Sequence, residues 1–421
     1  MTGAGATLVV TFAVMALFVR EVRLPRIPLF RIPPFFLASL RWIAALIFLV
    51  TLCAGFFGAQ DPYRNLIPTV VWVLWWVGFA FACALVVDLW AIANPLRTLF
   101  PSFLSLNFPC PAWLGAWPAV LLFLGFAWAE LVWRDNDVPS FLACALLAYA
   151  VLTWAGMLLF GRDTWLARGE AFTIAFGILG RFAPLEVAAG ELRLRPPGAG
   201  LLTGEAPSFS MLVFVLLMLA TVTFDGFLET PLYQQFATEM QQRFSGALFT
   251  LSELGLAETE VIATLALAAF PALFLAAYWL AAWAMARLAG APSVVPVACA
   301  FVLSLVPIAV AYHLSHYFSL LVTAGQFIVP LASDPFGFGW DLFGTAGYKV
   351  DLGILSPYVF WYSAVILIVA GHAIAVFVAH LGALRLFGNR ASAAASQVPM
   401  IALMIAYTTL SLWILAQPIV G

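Results

Sequence analysis

Residues Pro307 to Gln326 read PIAVAYHLSHYFSLLVTAGQ, a run apolar enough to dissolve in lipid that nevertheless carries His313 and His316 three residues apart. A helix crossing the hydrocarbon core needs roughly 20 mostly apolar residues. The run is therefore read as a membrane helix, and the two imidazoles inside it need a reason. The rest of the chain supports that reading. Of its 421 residues, 64% are hydrophobic and 9% charged, and the mean hydropathy is +1.05, outside the usual range of water-soluble domains. The expected fold is all-α: a polytopic bundle forming a single transmembrane domain, with the lipid bilayer as its first partner.

Working outward from this run gives about ten spans of sufficient length. They cover approximately residues 7–19, 36–57, 69–91, 117–133, 141–160, 209–228, 261–286, 295–318, 358–384 and 398–419. The charges test that division independently, because loops left in the cytoplasm hold most of the arginine and lysine. All basic residues except Arg64, Arg134, Arg243 and Lys349 fall on one set of alternate loops and span ends. Asp61, Asp135, Asp137, Glu229, Glu239 and Asp334 are among the acids on the other. The expected orientation puts both termini outside, in a bacterial inner membrane. The first span, TLVVTFAVMALFV, has its basic residues after the apolar core and reads as a retained anchor rather than a signal peptide. Five cysteines without a CxxC pair indicate neither a disulfide framework nor a cysteine zinc site.

Two kinds of connection are long enough to hold structure. On the arginine-rich side, residues 161–208 include ARGEAFTIAFGILGRFAP, where Phe172, Ile174, Phe176, Ile178 and Leu179 suit a helix lying along the membrane interface. On the acidic side are residues 229–260, read as one or two surface helices, and 331–357, whose glycines and aromatics fit either a cap over an opening or an interfacial anchor. There is no 20–50 residue repeat, no phosphate-binding glycine loop and no nucleic-acid-binding patch.

Each ionisable side chain within a span costs a few kcal/mol and is a functional candidate by default. The candidates are Asp88, Glu130, Asp225 and the four histidines: His313, His316, His372 and His380. Residues three apart are separated by about 60° around a helix, so His313 and His316 share a face and are expected to meet one ligand. His372 and His380 are about 12 Å apart along their helix, too far to ligate one ion. By depth, an outward-opening pocket is expected from Asp225, His313 and His316 with Glu130 at its edge and His372 as its floor. His380 and Asp88 are expected to form a separate inner pair. The plainer alternatives are an interfacial Glu130, an Asp88 that caps a helix or pairs with Arg97, and lone histidines that donate a hydrogen bond to a neighbouring helix. Pro307 is expected to bend its helix before His313, whereas Pro357 occupies a first-turn position at little cost.

The segments DPYRNLIPTVVWVLWWVGF, NPLRTLF, TFDGF, HYFSLLVTAGQ, SDPFGFGWDLFGT, SPYVFWY and GHAIAVFVAH occur here in that order. From about Gly55 onward the chain thereby resembles the integral membrane proteins of bacteria and archaea named fenitrothion hydrolases. The resemblance implies hydrolysis of a small, apolar organophosphorus ester. The matching segments hold Asp225, His316, His372 and His380, while His313 lies outside them.

Four functions remain open on the sequence. The first is a metal-assisted hydrolase in which Asp225, His316 and His372 are catalytic and a divalent metal ion draws on His316, His372, Asp225 and His380. The second is a redox protein in which His313 or His316 and His372 hold haem b from opposite faces. The third is a proton-coupled transporter with a His and Asp relay, against which stands the lack of visible paired broken helices. The fourth is a non-catalytic subunit that works with a second membrane subunit.

Overall fold

The computed structural model describes residues 7, 9–15 and 24–420. Much of the first expected span, residues 7–19, lies outside the described residues, as do Arg20 and Arg23. Among the described residues, nine helices are long and apolar enough to cross a membrane, and they correspond in order to the remaining nine expected spans. They are α1 (Pro34–Phe57), α2 (Leu66–Leu85), α3 (Ala112–Leu131), α4 (Pro139–Phe160), α6 (Phe209–Leu228), α9 (Glu258–Ala289), α10 (Val294–Ser333), α11 (Pro357–Phe387) and α12 (Arg390–Gln417). The short helix α5 (Ala171–Phe182) precedes α6, and two surface helices, α7 (Pro231–Arg243) and α8 (Ser245–Glu253), follow it. The protein is thus an all-α, multi-pass membrane bundle.

Burial sorts these helices into a centre and a rim. In α6 and α10, 72% of the most apolar stretch is buried, against 11% in α1 and 17% in α9. Phe35, Phe36, Trp42, Leu46 and Ile47 of α1 face outward, as lipid-facing residues do.

One small sheet departs from the helical plan. The strands β1 (Ile27–Arg31), β2 (Leu185–Ala188) and β3 (Glu191–Leu194) run in the order β1-β3-β2, with Ile27 opposite Leu194. The pairing fixes topology, because it holds Arg26 and Arg31 on the same side as Arg193 and Arg195 after four intervening crossings. Arg26 and Arg195 both pair with Glu186, at 3.3 and 2.5 Å.

The expectation for residues 161–208 needs correction. The segment does contain a helix, but α5 does not lie along the interface. Phe172, Ile174, Phe176, Ile178 and Leu179 are all buried in protein, packed against Trp75 and Trp90 of the α2 side and Phe123 and Phe126 of α3. The Trp75 and Phe172 rings are 4.4 Å apart. The first turn of α5 is deep. Its cap, Glu170, binds the Tyr149 hydroxyl, and Tyr149 stands eleven residues, roughly 16 Å of helix rise, from the end of α4 at Phe160. The short helix Arg162–Arg168 and α5 thus return into the bundle after α4. Such backbone is tolerated at membrane depth only inside protein. Gly156 admits the returning chain: a Cβ there would come within 2.0 Å of the Trp165 ring.

Three further irregularities surround the centre. Thr69–Phe79 of α2 is π-helical, and α10 is interrupted by 3₁₀ turns at Leu303–Leu305 and Gly325–Phe327. The first of these turns sits just before Pro307, where a bend is expected. Pro357 takes the first turn of α11 behind the Ser356 cap. The loop after α10 folds onto the end of α2, with Arg64 donating to the Gly337 carbonyl and Phe336, Phe338 and Trp340 clustered.

Candidate functional site

Asp225 comes from α6, near its acidic-side end, and the segment Val306–Ala324 of α10 supplies the facing side chains. The His316 Nε2–H donates to Asp225 Oδ2 at 2.9 Å, and the Tyr317 hydroxyl donates to the same oxygen at 2.6 Å. With Nε2 so engaged, the neutral imidazole keeps its lone pair on Nδ1. Asp225 and His316 remain 24% and 18% accessible, so the pair is not sealed off within the bundle. Gly226 explains the close approach of the two helices. A Cβ at that position would fall 2.7 Å from the Tyr312 hydroxyl and 3.4 Å from the His316 ring.

Glu130 belongs to this site. It stands on α3, half-buried and within electrostatic reach of Asp225 and Tyr317. Trp76 lies in the π-helical part of α2, and its ring meets that of His313 at 5.6 Å. The His313 ring also lies 5.6 Å from Phe81 and 4.8 Å from Tyr317. The His313 ring is thus boxed by aromatics, and its buried Nε2 has no hydrogen-bond partner. Tyr317 is also 4.7 Å from the His316 ring and so stands against both histidines. The expectation that His313 and His316 meet one ligand is corrected accordingly.

The deeper histidines lie elsewhere. His372 donates from Nδ1 to the Ile368 carbonyl at 2.8 Å, and its buried Nε2 is unpartnered. From the His316 ring to His372 the route passes Tyr312 at 5.8 Å, then Tyr407 at 6.3 Å, then a last step of 6.2 Å. Tyr407 bonds Thr223 at 2.6 Å, and the Tyr312 hydroxyl, fully buried, has no partner. His372 is thus a floor beneath two tyrosines and does not touch Asp225 or His316. His380 is deeper still on α11, where Gln397 Nε2 donates to its Nδ1 at 3.0 Å. The expected inner pair is replaced by these contacts, since Asp88 caps the Leu89–Ala93 helix through the Ala91 N–H and packs on Gly180. Arg97 pairs with Asp163.

These positions decide which cofactors the residues fit. Among the described residues, no group of three or more His, Cys, Asp or Glu side chains could hold a metal ion. The set His316, His372, Asp225 and His380 is spread over three levels of the bundle. Haem b fits no better, because two tyrosine rings stand between His316 and His372, and His313 is enclosed by aromatics.

What the arrangement does offer is a setting for acid–base chemistry. Glu130 and Asp225 share the site. Among the described residues, no lysine or arginine forms an ion pair with either, and the one ion-pair partner is His316. Two carboxyl groups in such surroundings favour the entry of a proton or a cation. Asp225 holds His316 through Nε2, and the Tyr317 hydroxyl donates to the same carboxylate oxygen.

Sequence reasoning missed Tyr317, Tyr312, Trp76 and Tyr407 at this site, and it missed Glu170 entirely. Glu170 is fully buried and accepts from the Phe172 and Thr173 N–H groups, the Thr173 and Tyr149 hydroxyls and the Trp90 indole. No family model, curated protein or solved structure matches the chain.

Proposed function

We propose that the protein is a proton-coupled membrane carrier whose proton is bound by Asp225, His316 and Glu130. The observation that carries this reading is Asp225 itself, a carboxyl within an apolar span whose one oxygen is shared by His316 and Tyr317 and which pairs with no lysine or arginine among the described residues. Apolar residues would fill the same volume at no cost in stability, whereas a relay needs these groups. The backbone adds support. The segment of α10 that bears the histidines is bracketed by 3₁₀ turns, the facing α2 is π-helical, and the short α5 is buried within the bundle. Discontinuous helices near mid-membrane characterise carriers. The setting for this reading is a bacterial cell membrane with the arginine-rich side in the cytoplasm.

A pH step applied to the protein on a solid-supported membrane should displace charge transiently, and Asp225→Asn should abolish the transient. A wild-type protein that gives no transient would end this reading. A second reading, hydrolysis of an apolar ester as the resemblance implies, draws on the same dyad. Asp225 orients His316 as a general base for water without a metal ion, an effect worth roughly 10²–10⁴ in rate. Release of a phenol from an aryl phosphotriester, lost in His316→Gln, would favour it over the carrier.

A further inference from the structure

A second polar site lies on the arginine-rich side, away from Asp225. A cavity of about 280 Å³ opens there between the start of α1, the segment Leu89–Leu99 and the start of Arg162–Arg168. Three guanidinium groups line it: Arg41, Arg97 and Arg162. The acid that answers them is Asp163, 2.9 Å from Arg97 and 3.7 Å from Arg162. Arg41 donates from Nε to the Ile92 carbonyl at 3.3 Å, which leaves its two terminal nitrogens for another partner. The Arg162 Nε is buried without a hydrogen bond. Three cations facing one carboxylate repel one another unless an anion joins them.

The adjoining cavity shows the contrast. It measures about 430 Å³ and shares Arg41 and Ile92, but there two acids, Asp88 and Glu186, stand among Arg41, Arg181 and Arg195, and Arg195 is already paired with Glu186 at 2.5 Å. The first cavity, lined by three arginines and no acid, carries the larger excess of positive charge. Ala38 and Trp42 also line it, and Trp42, 62% exposed, belongs to the outward-facing helix α1 with Phe35 and Phe36. The cavity therefore adjoins side chains suited to lipid, and basic pockets between membrane helices are where anionic headgroups bind.

We infer that the cavity lined by Arg41, Arg97 and Arg162 binds a phosphate group, presented by an anionic phospholipid or by free phosphate. Guanidinium forks match phosphate oxygens in pairs, and Asn94 and Thr98 offer polar groups beside them. Occupancy would tie α1 to two inward-reaching segments that meet where the Trp90 indole binds Glu170.

The test uses full-length protein, delipidated in a neutral detergent, and reads both native mass spectra and thermal unfolding. Phosphatidylglycerol should bind and stabilise where phosphatidylcholine does not, and Arg41→Gln combined with Arg162→Gln should weaken that binding by about tenfold or more. Inorganic phosphate is titrated in parallel. Stabilisation by inorganic phosphate to the same extent assigns the site to a soluble anion, and stabilisation by the lipid alone assigns it to a headgroup. Asp163→Asn, at an exposed position, removes only the competing acid and should tighten binding severalfold, so the inference survives a double variant that fails to fold. Wild type and variants that respond identically to phosphatidylglycerol and to phosphate would overturn it.

Discussion

The Asp225–Tyr317 contact can be weighed by a double-mutant cycle. Tyr317→Phe deletes one hydroxyl and keeps the ring that packs 4.8 Å from His313 and 4.7 Å from His316, so the change is confined to the 2.6 Å bond to Asp225. Asp225→Ala removes the acceptor. Hydrogen bonds between membrane helices average about 0.6 kcal/mol in such cycles and reach about 1.7, and a bond to an ionised group is about twice as strong as a neutral one. The Asp225–Tyr317 coupling is therefore expected at about 1.2 kcal/mol, and the Asp225–His316 coupling, at 2.9 Å, at about 1 kcal/mol. The assay is reversible unfolding in mixed micelles of mild detergent and dodecyl sulfate, for wild type, both single variants and the double variant. A coupling near 0.6 kcal/mol would mean a neutral carboxyl. Couplings below about 0.3 kcal/mol for both pairs would mean that the triad is not held together by Asp225, and the acid–base site would have to be abandoned.

Three other outcomes can be checked by thermal unfolding. Gly371→Ala pushes a Cβ to 2.3 Å from the Ala311 Cβ and 2.7 Å from the Pro307 carbonyl, so forcing α10 and α11 apart should cost about 1–3 kcal/mol; an unchanged midpoint would contradict that packing. Glu170→Gln turns an acceptor surrounded by donors into a group that must itself donate, for an expected loss of about 1–3 kcal/mol, with trypsin cleavage near Arg168 as the companion readout. Asp88→Asn should leave stability unchanged near about pH 4 and raise it near about pH 8 while keeping the helix cap. Burial pushes the Asp88 carboxyl above its ordinary value, so its contribution is present below the unfolded value and lost as pH rises through the folded one. Equal stability of the two proteins at both pH values would refute this.

The sequence announced the membrane helices because lipid demands long apolar runs, and no polar tertiary contact can imitate them. It also announced Asp225 and His316, since an ionisable group in such a run stands out. Depth along a helix does not fix rotation around it, however, which is why His372 and His380 were placed with a site they do not reach. Tyr312, Tyr317 and Tyr407 escaped notice because hydropathy treats tyrosine as ordinary span material. Helix α5 carried a readable signal that was passed over. Ala171, Ala175, Gly177 and Gly180 fill the faces left by its large apolar residues, and a helix apolar all round is a buried one. Glu170 was hidden because the segment containing it looks like a loop. The π-helical stretch of α2 has no signature in VVWVLWWVGF.

The irregular elements have a common location that their separate causes do not explain. Trp76, in the π-helical stretch, touches His313, and its neighbour Trp75 touches Phe172 of the buried short helix α5. His313, His316 and Tyr317 ride on the part of α10 set off by 3₁₀ turns at both ends. Each departure from α-helical bonding lowers the local cost of rearrangement, and each lies in contact with the site or one ring away from it. A purely structural polar cluster would gain from the most regular helices available to hold it. Irregular backbone around the Asp225–His316 pair is instead what the proposed carrier would need, because there taking up a proton must be coupled to movement of the helices that bind it.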